Sequence, residues 1–547
     1  VPVPPRRQSA SSEVPRQHSA SLEVTVSDDL RPSHPIRTTV GALAALTGAR
    51  LEAPTGSADD VIVTGVSLRA QAIAPGDLFA GLPGARTHGA EFAAEALGRG
   101  ATAIFTDEAG FARVSELASE VPVLVHDNPR GVLGELSATI YGRPSEQMQV
   151  IGITGTSGKT TTSYLLESAL IAAGRTTGLV GTIETRMSGR RIPSALTTPE
   201  APQLHALFAV MLEQGVDTVV MEVSSHALSL GRVDGVRFDI GAFTNLSRDH
   251  LDFHRDFEDY FAAKSRLFSA DSPTHAERAV ICVDDEWGQR MAEVARGANS
   301  DVTTVATTPQ GEGASWTAGP ATVSPSGTQT FALTAAEGTT HEVVLRLPGR
   351  YNVANASLAI ALCATAGVDP QDAALGIAAV DVPGRVERIE RGQDFLAVVD
   401  YAHKPAALEA VIATLREQVQ GRIAIVVGAG GDRDAQKRPL MGAAAARGAD
   451  LVVVTDDNPR TEDPAAIRAA VREGALDVPE PERGQVWEVA DRAKAIADAV
   501  GWAQTGDVVL VAGKGHEIGQ EINGVKYPFD DRDVLGAAIE RVVGGTR

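Results

Sequence analysis

Cysteine is almost missing from this chain of 547 residues: only Cys282 and Cys363 occur, at no zinc-ligand spacing. A disulfide framework is therefore not expected, and a reducing cytoplasm is the expected compartment. Positive charge is also scarce. Lys and Arg total 49 against 70 Asp and Glu, a net charge of −21. No broad basic face exists for nucleic acid, so each basic residue that matters must be placed individually. No apolar run reaches the roughly 18 residues of a membrane span, and no basic-then-apolar leader pattern is visible. What is present is core. The hydrophobic content of 43% is ordinary for a globular protein, and the length suggests roughly three or four domains.

The chain divides at its breakers. Residues 1–37 hold Pro, Ser and Arg with little periodicity and read as a disordered tail. A small α/β unit follows over 38–145, ended by Gly142-Arg-Pro144. The middle unit, 146–382, alternates strands and helices, which predicts a parallel sheet covered on both faces. Within it, the Thr-, Gly- and Val-rich stretch 302–345 predicts an antiparallel β insertion. A break at Val382-Pro-Gly384 opens the last unit, 383–547. There, runs such as Ile423-Ala-Ile-Val-Val427 and Val508-Val-Leu-Val-Ala512 read as strands ending in polar or glycine loops.

One stretch organises the rest: Val150-Ile-Gly-Ile-Thr-Gly-Thr-Ser-Gly-Lys-Thr-Thr-Thr162. A short apolar strand leads through glycines to a helix start. Such a turn lets backbone N–H groups converge on phosphate oxygens, and the helix N-terminus adds partial positive charge. Gly155, Thr156, Ser157 and Gly158 form the cradle. Lys159 would reach the β and γ phosphates, Thr160 would sit on Mg²⁺, and Thr161 follows. The usual spacing asks for glycine at 153, where this chain has Ile, so the motif is a variant.

Polar groups stand after other predicted strands. Glu222 ends one, and Asn245 ends the next, shortly before His250. Glu222 and His250 offer an oxygen and a nitrogen for Mg²⁺ near a transferring phosphate. Lys264 lies on an amphipathic helix and, on residues alone, reads as a snorkelling lysine. In the last unit four loops follow strands: Asp400-Tyr-Ala-His403, Gly428–Asp434, Asp456-Asp-Asn-Pro-Arg460 and Gly513-Lys-Gly-His-Glu517. Charges of both signs at successive strand ends imply a zwitterionic or anionic small ligand.

Together these segments resemble the Mur ligases, ATP-dependent amide-forming enzymes of peptidoglycan precursor synthesis, and within them the MurE type. The motifs run in order: Gly-Thr-Ser-Gly-Lys-Thr-Thr161, Leu-Thr-Thr-Pro199, Glu-Val-Ser-Ser-His-Ala-Leu228, Asn-Leu-Ser-Arg-Asp-His-Leu-Asp252, Pro-Gly-Arg-Tyr-Asn-Val-Ala-Asn355, Pro-Gly-Arg-Val-Glu387, then the three loops at 400, 460 and 517. The resemblance implies a small N-terminal α/β uridine-binding domain, a central P-loop-type ATPase domain and a C-terminal Rossmann-like α/β domain. It implies that Lys264 is carbamylated by CO₂ and becomes a metal ligand beside Thr160, Glu222 and His250. Asn352 and Asn355 would meet adenine, and Arg385 and Asp400 the nucleotide from the last domain. Thr197, Thr198, Ser224 and Arg232 would hold the UDP-sugar peptide, with Leu68, Ala85, Arg86 and Thr87 at its uridine end. At 69–71, where the family often has Asp-Ser-Arg, this chain has Arg-Ala-Gln.

The implied reaction joins UDP-N-acetylmuramoyl-L-alanyl-D-glutamate to meso-diaminopimelate through an acyl phosphate, in a cytoplasmic and monomeric enzyme. Asp457, Asn458, Pro459 and Arg460 accompany diaminopimelate in the family, and Arg433, Gly513 and Glu517 complete the pocket. Chemistry agrees: Arg460 can fork onto a distal carboxylate that lysine lacks. The rivals are a lysine-adding relative, a folylpolyglutamate synthase, and a nucleotide-binding scaffold without ligation. A second Asp-Asn-Pro-Arg, at 127–130, follows a strand of the first unit and is read as coincidence.

Overall fold

The computed structural model describes residues 30–53, 60–84, 87–117, 121–192, 196–298, 301–324 and 328–545. Three sheets carry the chain. The first has five strands in the order Arg50–Glu52, Val123–Val125, Ala103–Thr106, Asp77–Ala80, Gly65–Ser67, parallel except for the antiparallel edge at Arg50–Glu52. The apolar stretch 61–66 forms two short strands, Ile62–Val63 and Gly65–Ser67, broken at Thr64.

The middle sheet has twelve strands. Gln149–Thr154 lies at its centre, flanked by Thr218–Glu222 and Ile240–Phe243, both parallel to it. Its run of apolar residues fits burial on two faces. Ile151 and Ile153 face one core with Leu165, Leu166 and Leu362. Val150 faces the other with Val219, Phe208 and Phe243. The stretch 302–345 is not a separate insertion. Asp301–Ala306 and Trp316–Ala318 extend the parallel sheet, and only the last three strands, Thr322–Val323, Gln329–Ala335 and Thr340–Leu345, are antiparallel. Composition signalled strand there, but direction is set by the helix Glu286–Gly297, which carries the chain back for a parallel crossover.

The last sheet runs Glu387–Arg388, Leu396–Asp400, Val508–Ala512, Ile423–Val427, Leu451–Val454, Gln485–Glu488, parallel apart from the first strand. Alternate residues of its apolar runs enter opposite cores: Ile425 and Leu510 one, Val426 and Val511 the other.

Residues 1–29 of the expected tail lie outside the described residues. The stretch 30–37, assigned to the same tail, is held at two points. Arg31 grips the buried Asp77 carboxylate through both terminal nitrogens (2.7 and 2.8 Å), and the Ser33 and His34 amides donate to Glu213. Among the described residues no helix is long and apolar enough to cross a membrane.

Candidate active site

The glycine loop forms as expected between the strand Gln149–Thr154 and the helix Lys159–Ala172. Gly155 and Gly158 both have positive φ, and a Cβ on either would collide with Thr244 Oγ1 or Asn355 Oδ1, so only glycine fits. The neighbouring strand end braces the loop. Thr244 Oγ1 and Asn245 Nδ2 both donate to Ser157 O (2.7 and 3.0 Å), and the Ser157 amide donates back to Asn245 Oδ1 (3.1 Å). Asn245 is thus a loop-positioning residue. Asn355 Nδ2 bonds Asn352 Oδ1 (3.0 Å), and Thr162 Oγ1 donates to Asn355 Oδ1 (3.4 Å), so both asparagines sit buried against the loop helix.

Glu222 is 1% exposed at its strand end. Thr160 Oγ1 donates to its Oε2 (3.1 Å), and Thr182 supplies both its amide (2.8 Å) and its hydroxyl (2.9 Å). A buried carboxylate beside the hydroxyl of the loop threonine is an oxygen donor set suited to a hard divalent cation. The expected metal set is brought together in part. His250 turns to Asp249 (3.0 Å), and its ring stands edge-on to His226. Among the described residues no group of three His, Cys, Asp or Glu side chains converges as a metal cluster.

Two lysines share one carbonyl. Lys159 Nζ donates to Gly155 O (2.7 Å), and so does Lys264 Nζ (2.9 Å). Lys264 is 1% exposed and lies 4.6 Å from the Tyr260 ring, so it does not snorkel to water. Burial, with the Lys159 and Lys404 charges added, pushes its amine well below the usual lysine range. Burial likewise pushes Lys159 down to about 8, against the opposing pull of Glu222.

The last domain reaches the same place. Arg385 Nη2 donates to Thr160 Oγ1 (3.3 Å) while its guanidinium lies 4.5 Å over Tyr401. Lys404 pairs with Asp249 across the domains (2.6 Å). Burial would raise the Asp249 carboxyl, but His250 and Lys404 outweigh it and hold it far below the carboxylate range. Lys159, Lys264, Lys404 and Arg385 thus surround two carboxylates, Glu222 and Asp249. Arg385 Nε and His516 Nδ1 are buried without hydrogen-bond partners among the described residues. Surplus cations and the orphaned Arg385 donor fit a polyanion such as a nucleotide triphosphate. Asp400 accepts from the Val386 (2.8 Å) and Ala402 (2.7 Å) amides, fixing the turn that presents Arg385.

A second polar pocket lies in the last domain. Lys514 is fully buried, its Nζ 3.2 Å from Asp457 Oδ1, 2.9 Å from Asn458 Oδ1 and 3.6 Å from Glu517 Oε2. Asn458 Nδ2 donates to Glu517 Oε2 (2.9 Å). Burial raises Asp457, but Lys514 and Arg492 hold it below its ordinary value; burial and Asp457 push Glu517 up. A Cβ on Gly513 would lie 2.9 Å from Asp457 Oδ2. Pro459 O lies so close to Gly431 that a Cβ there would collide with it. Arg460 has φ +52 and is pinned by its amide to Glu521 O (3.0 Å), by Nη1 to Gly431 O (2.7 Å) and by Nε to Glu521 Oε2 (3.2 Å). Arg433 stands exposed at the rim.

Thr197, Thr198, Ser224 and Arg232 do converge. Thr182 Oγ1 meets Thr197 Oγ1 (3.1 Å), Thr198 Oγ1 donates to Glu222 O (2.9 Å), and the Ser224 amide donates to Thr198 Oγ1 (3.3 Å). Arg232 Nη1 reaches Thr198 O (3.4 Å). Thr161 is buried on the loop helix, Leu68 packs on the first-domain core and Thr87 is exposed. Ala85 and Arg86 lie outside the described residues. Sequence reasoning missed Lys404, Lys514 and Arg492. Lys514 stood in view inside Gly513–Glu517. Arg492, fully buried on Asp531 (2.7 Å), had no local signal.

Known proteins resemble this chain over most of its length. Residues 153–363 match the Mur ligase middle domain, 384–515 the Mur ligase glutamate ligase domain, and 62–141 the Mur ligase family catalytic domain. The chain is 54% identical over 497 residues to the UDP-N-acetylmuramoyl-L-alanyl-D-glutamate--2,6-diaminopimelate ligase of Corynebacterium glutamicum, covering 90% of this chain and 95% of that one. It is 51% identical to the enzyme of the same name from Streptomyces coelicolor, covering 94% and 99%. A solved structure of a ligase with that name aligns at 32% identity and TM-score 0.64, over 93% of this chain and all of the other. Folylpolyglutamate synthase of Mycobacterium tuberculosis shares the fold at 21% identity and TM-score 0.56, over 76% of this chain and 96% of that one. The chain belongs to the Mur ligase family.

Proposed function

We propose that the protein joins meso-diaminopimelate to UDP-N-acetylmuramoyl-L-alanyl-D-glutamate, using ATP, in peptidoglycan precursor synthesis. One observation carries this reading: the loop hydroxyl of Thr160 is met both by the buried Glu222 carboxylate and by Arg385 from the last domain. Two substrate regions therefore face one phosphate cradle. ATP lies between the middle and last domains, its β and γ phosphates on the loop amides, Lys159 and Arg385. Mg²⁺, when bound at Thr160 and Glu222, supplies charge neutralisation for the transferring phosphoryl group. The γ-carboxylate of the D-glutamyl residue attacks that phosphorus, ADP leaves, and an acyl phosphate remains. The diaminopimelate amine then adds to the acyl carbon, and phosphate departs. No protein nucleophile is needed, so positioning and electrostatics carry the acceleration.

Lys264 supports a carbamate in the same reading. Burial pushes its amine well below the usual lysine range and so favours the neutral form, which can add CO₂ and release a proton to become an anion. That anion would set a compensating negative charge beside Lys159. Arg460 supports diaminopimelate over lysine, because a guanidinium held by Glu521 and Gly431 O attracts a further carboxylate and repels an ammonium. The two free, buried cysteines suit a reducing cytoplasm. The test is phosphate release and product mass with ATP, Mg²⁺, the sugar-nucleotide dipeptide and a panel of amino acids. Product with lysine or glutamate in preference to diaminopimelate would overturn the assignment.

A further inference from the structure

The Asp-Asn-Pro-Arg at 127–130 does more than close a turn. Asn128 caps the helix Pro129–Ile140, leaving Arg130 in its first turn. Arg130 Nη1 crosses from the first domain to Glu200 Oε2 in the middle domain (3.1 Å). The other oxygen, Oε1, lies 2.9 Å from Arg232 Nε. That Nε–H is buried and has no aligned acceptor among the described residues, so Glu200 leaves it unsatisfied. The helix is seated rigidly here. Gly134 abuts Asp234 O, and Gly235 abuts Gly134 O, so closely that a Cβ on either would collide. Arg232 belongs to the turn so clamped.

Glu200 also opens the helix Ala201–Glu213. Two helix N-termini therefore meet at two guanidiniums and one carboxylate, a surplus of positive charge in a partly covered junction. The place is informative. Pro202 and Gln203, next along that helix, line a cavity whose other wall holds Val66 and Ser67, beside Leu68. On the opposite side Arg232 touches Thr198, which bonds Glu222 beside the phosphate loop. The arginine pair thus stands between the expected uridine end and the reacting end of one elongated substrate.

We propose that Arg130 is a substrate-binding residue: with Arg232 it receives an oxyanion of the sugar-nucleotide peptide, and Glu200 is the positioning residue that holds the two guanidiniums together. This rests on the proposed substrate but not on turnover. The oxyanion is the diphosphate or a peptide carboxylate. Direct calorimetric binding to the full-length protein tests it, with three ligands: UDP, the complete UDP-sugar dipeptide, and a non-hydrolysable ATP analogue.

Arg130→Gln should weaken the complete precursor by roughly 10-fold or more, the scale of a charge-assisted hydrogen bond. Binding of the ATP analogue should be unchanged. Arg130→Lys should recover part of the loss, and Glu200→Gln should weaken the precursor through both arginines. Loss of UDP affinity as well assigns the diphosphate; loss for the precursor alone assigns a carboxylate. Unchanged precursor binding in Arg130→Gln overturns the proposal. So does an equal loss for the ATP analogue with a lowered melting temperature, which marks a domain brace only. A wild type that binds precursor but never ligates defeats the proposed function and leaves this site standing.

Discussion

The same four residues, Asp-Asn-Pro-Arg, occur twice and become two different objects. At 127–130 Asn128 accepts the Gly131 amide (3.2 Å), Pro129 starts a helix, and Arg130 looks out at a domain junction. At 457–460 no helix follows at once. Asn458 instead receives Lys514 and the Glu521 amide on its oxygen and gives its nitrogen to Glu517. Arg460 is forced into a left-handed backbone and locked to a hairpin, Gly519–Ile522 with Val525–Pro528. The tetrapeptide sets neither outcome. A free helix N-terminus takes the first copy; a buried lysine and two carboxylates take the second. A motif is therefore evidence of function only with the charges that surround it.

The comparison can be broken by substitution, and the largest effect is expected where context transforms an ordinary residue most. Lys264 reads as a surface lysine and is buried beside Lys159. Lys264→Ala should lower ligation at least about 100-fold, the scale of losing a preorganised electrostatic group, with an unchanged fold by circular dichroism. Near-normal rates in phosphate-release assays without CO₂ would remove the carbamate from the account. Arg460→Lys should raise the KM for diaminopimelate by roughly 100-fold while the KM for ATP stays put, since a point charge cannot replace a fork. Equal loss for both substrates would make the second copy as structural as a cap.

Asn458→Ala removes a hub of Lys514 and Glu517, so diaminopimelate use should fall roughly 10-fold, read as kcat/KM. The nucleotide end offers a pH contrast. Burial pushes the Lys159 amine down to about 8 in the free site, and bound phosphate would raise it again. Nucleotide binding should then take up a proton above pH 8, and affinity should fall by up to about tenfold per pH unit there. Calorimetry in buffers of different ionisation heat would show this; no proton uptake at pH 9 would contradict it. The smallest effect belongs to the first copy: Asn128→Ala should cost about 1 kcal/mol of stability in denaturant unfolding and leave diaminopimelate kinetics unaltered.

Local chemistry was legible. The glycine loop, its helix and the apolar strands of the last sheet announce themselves within a dozen residues, because period and glycine placement are short-range signals. Long-range facts were not. Burial of Lys264 depends on Tyr260 and the loop carbonyl of Gly155, over a hundred positions away in sequence. Arg492 is visible only once Asp531 packs on it. The parallel course of 301–318 could not be read from Thr, Gly and Val, which favour strands of either direction. The first-domain copy at 127–130 reads as coincidence from sequence, because nothing local to Arg130 shows Glu200 across the domain junction.

The central claim is that one phosphate cradle activates a sugar-linked peptide acid for a diamino diacid. The most direct measurement supplies the purified full-length protein with ATP, Mg²⁺ and UDP-N-acetylmuramoyl-L-alanyl-D-glutamate, with meso-diaminopimelate or lysine as acceptor, and weighs the products. The account predicts a tripeptide precursor with diaminopimelate, one ADP and one phosphate per bond formed, and lysine poorer by roughly 10⁴-fold. ATP bound but no lengthened precursor, or lysine used equally well, would contradict it.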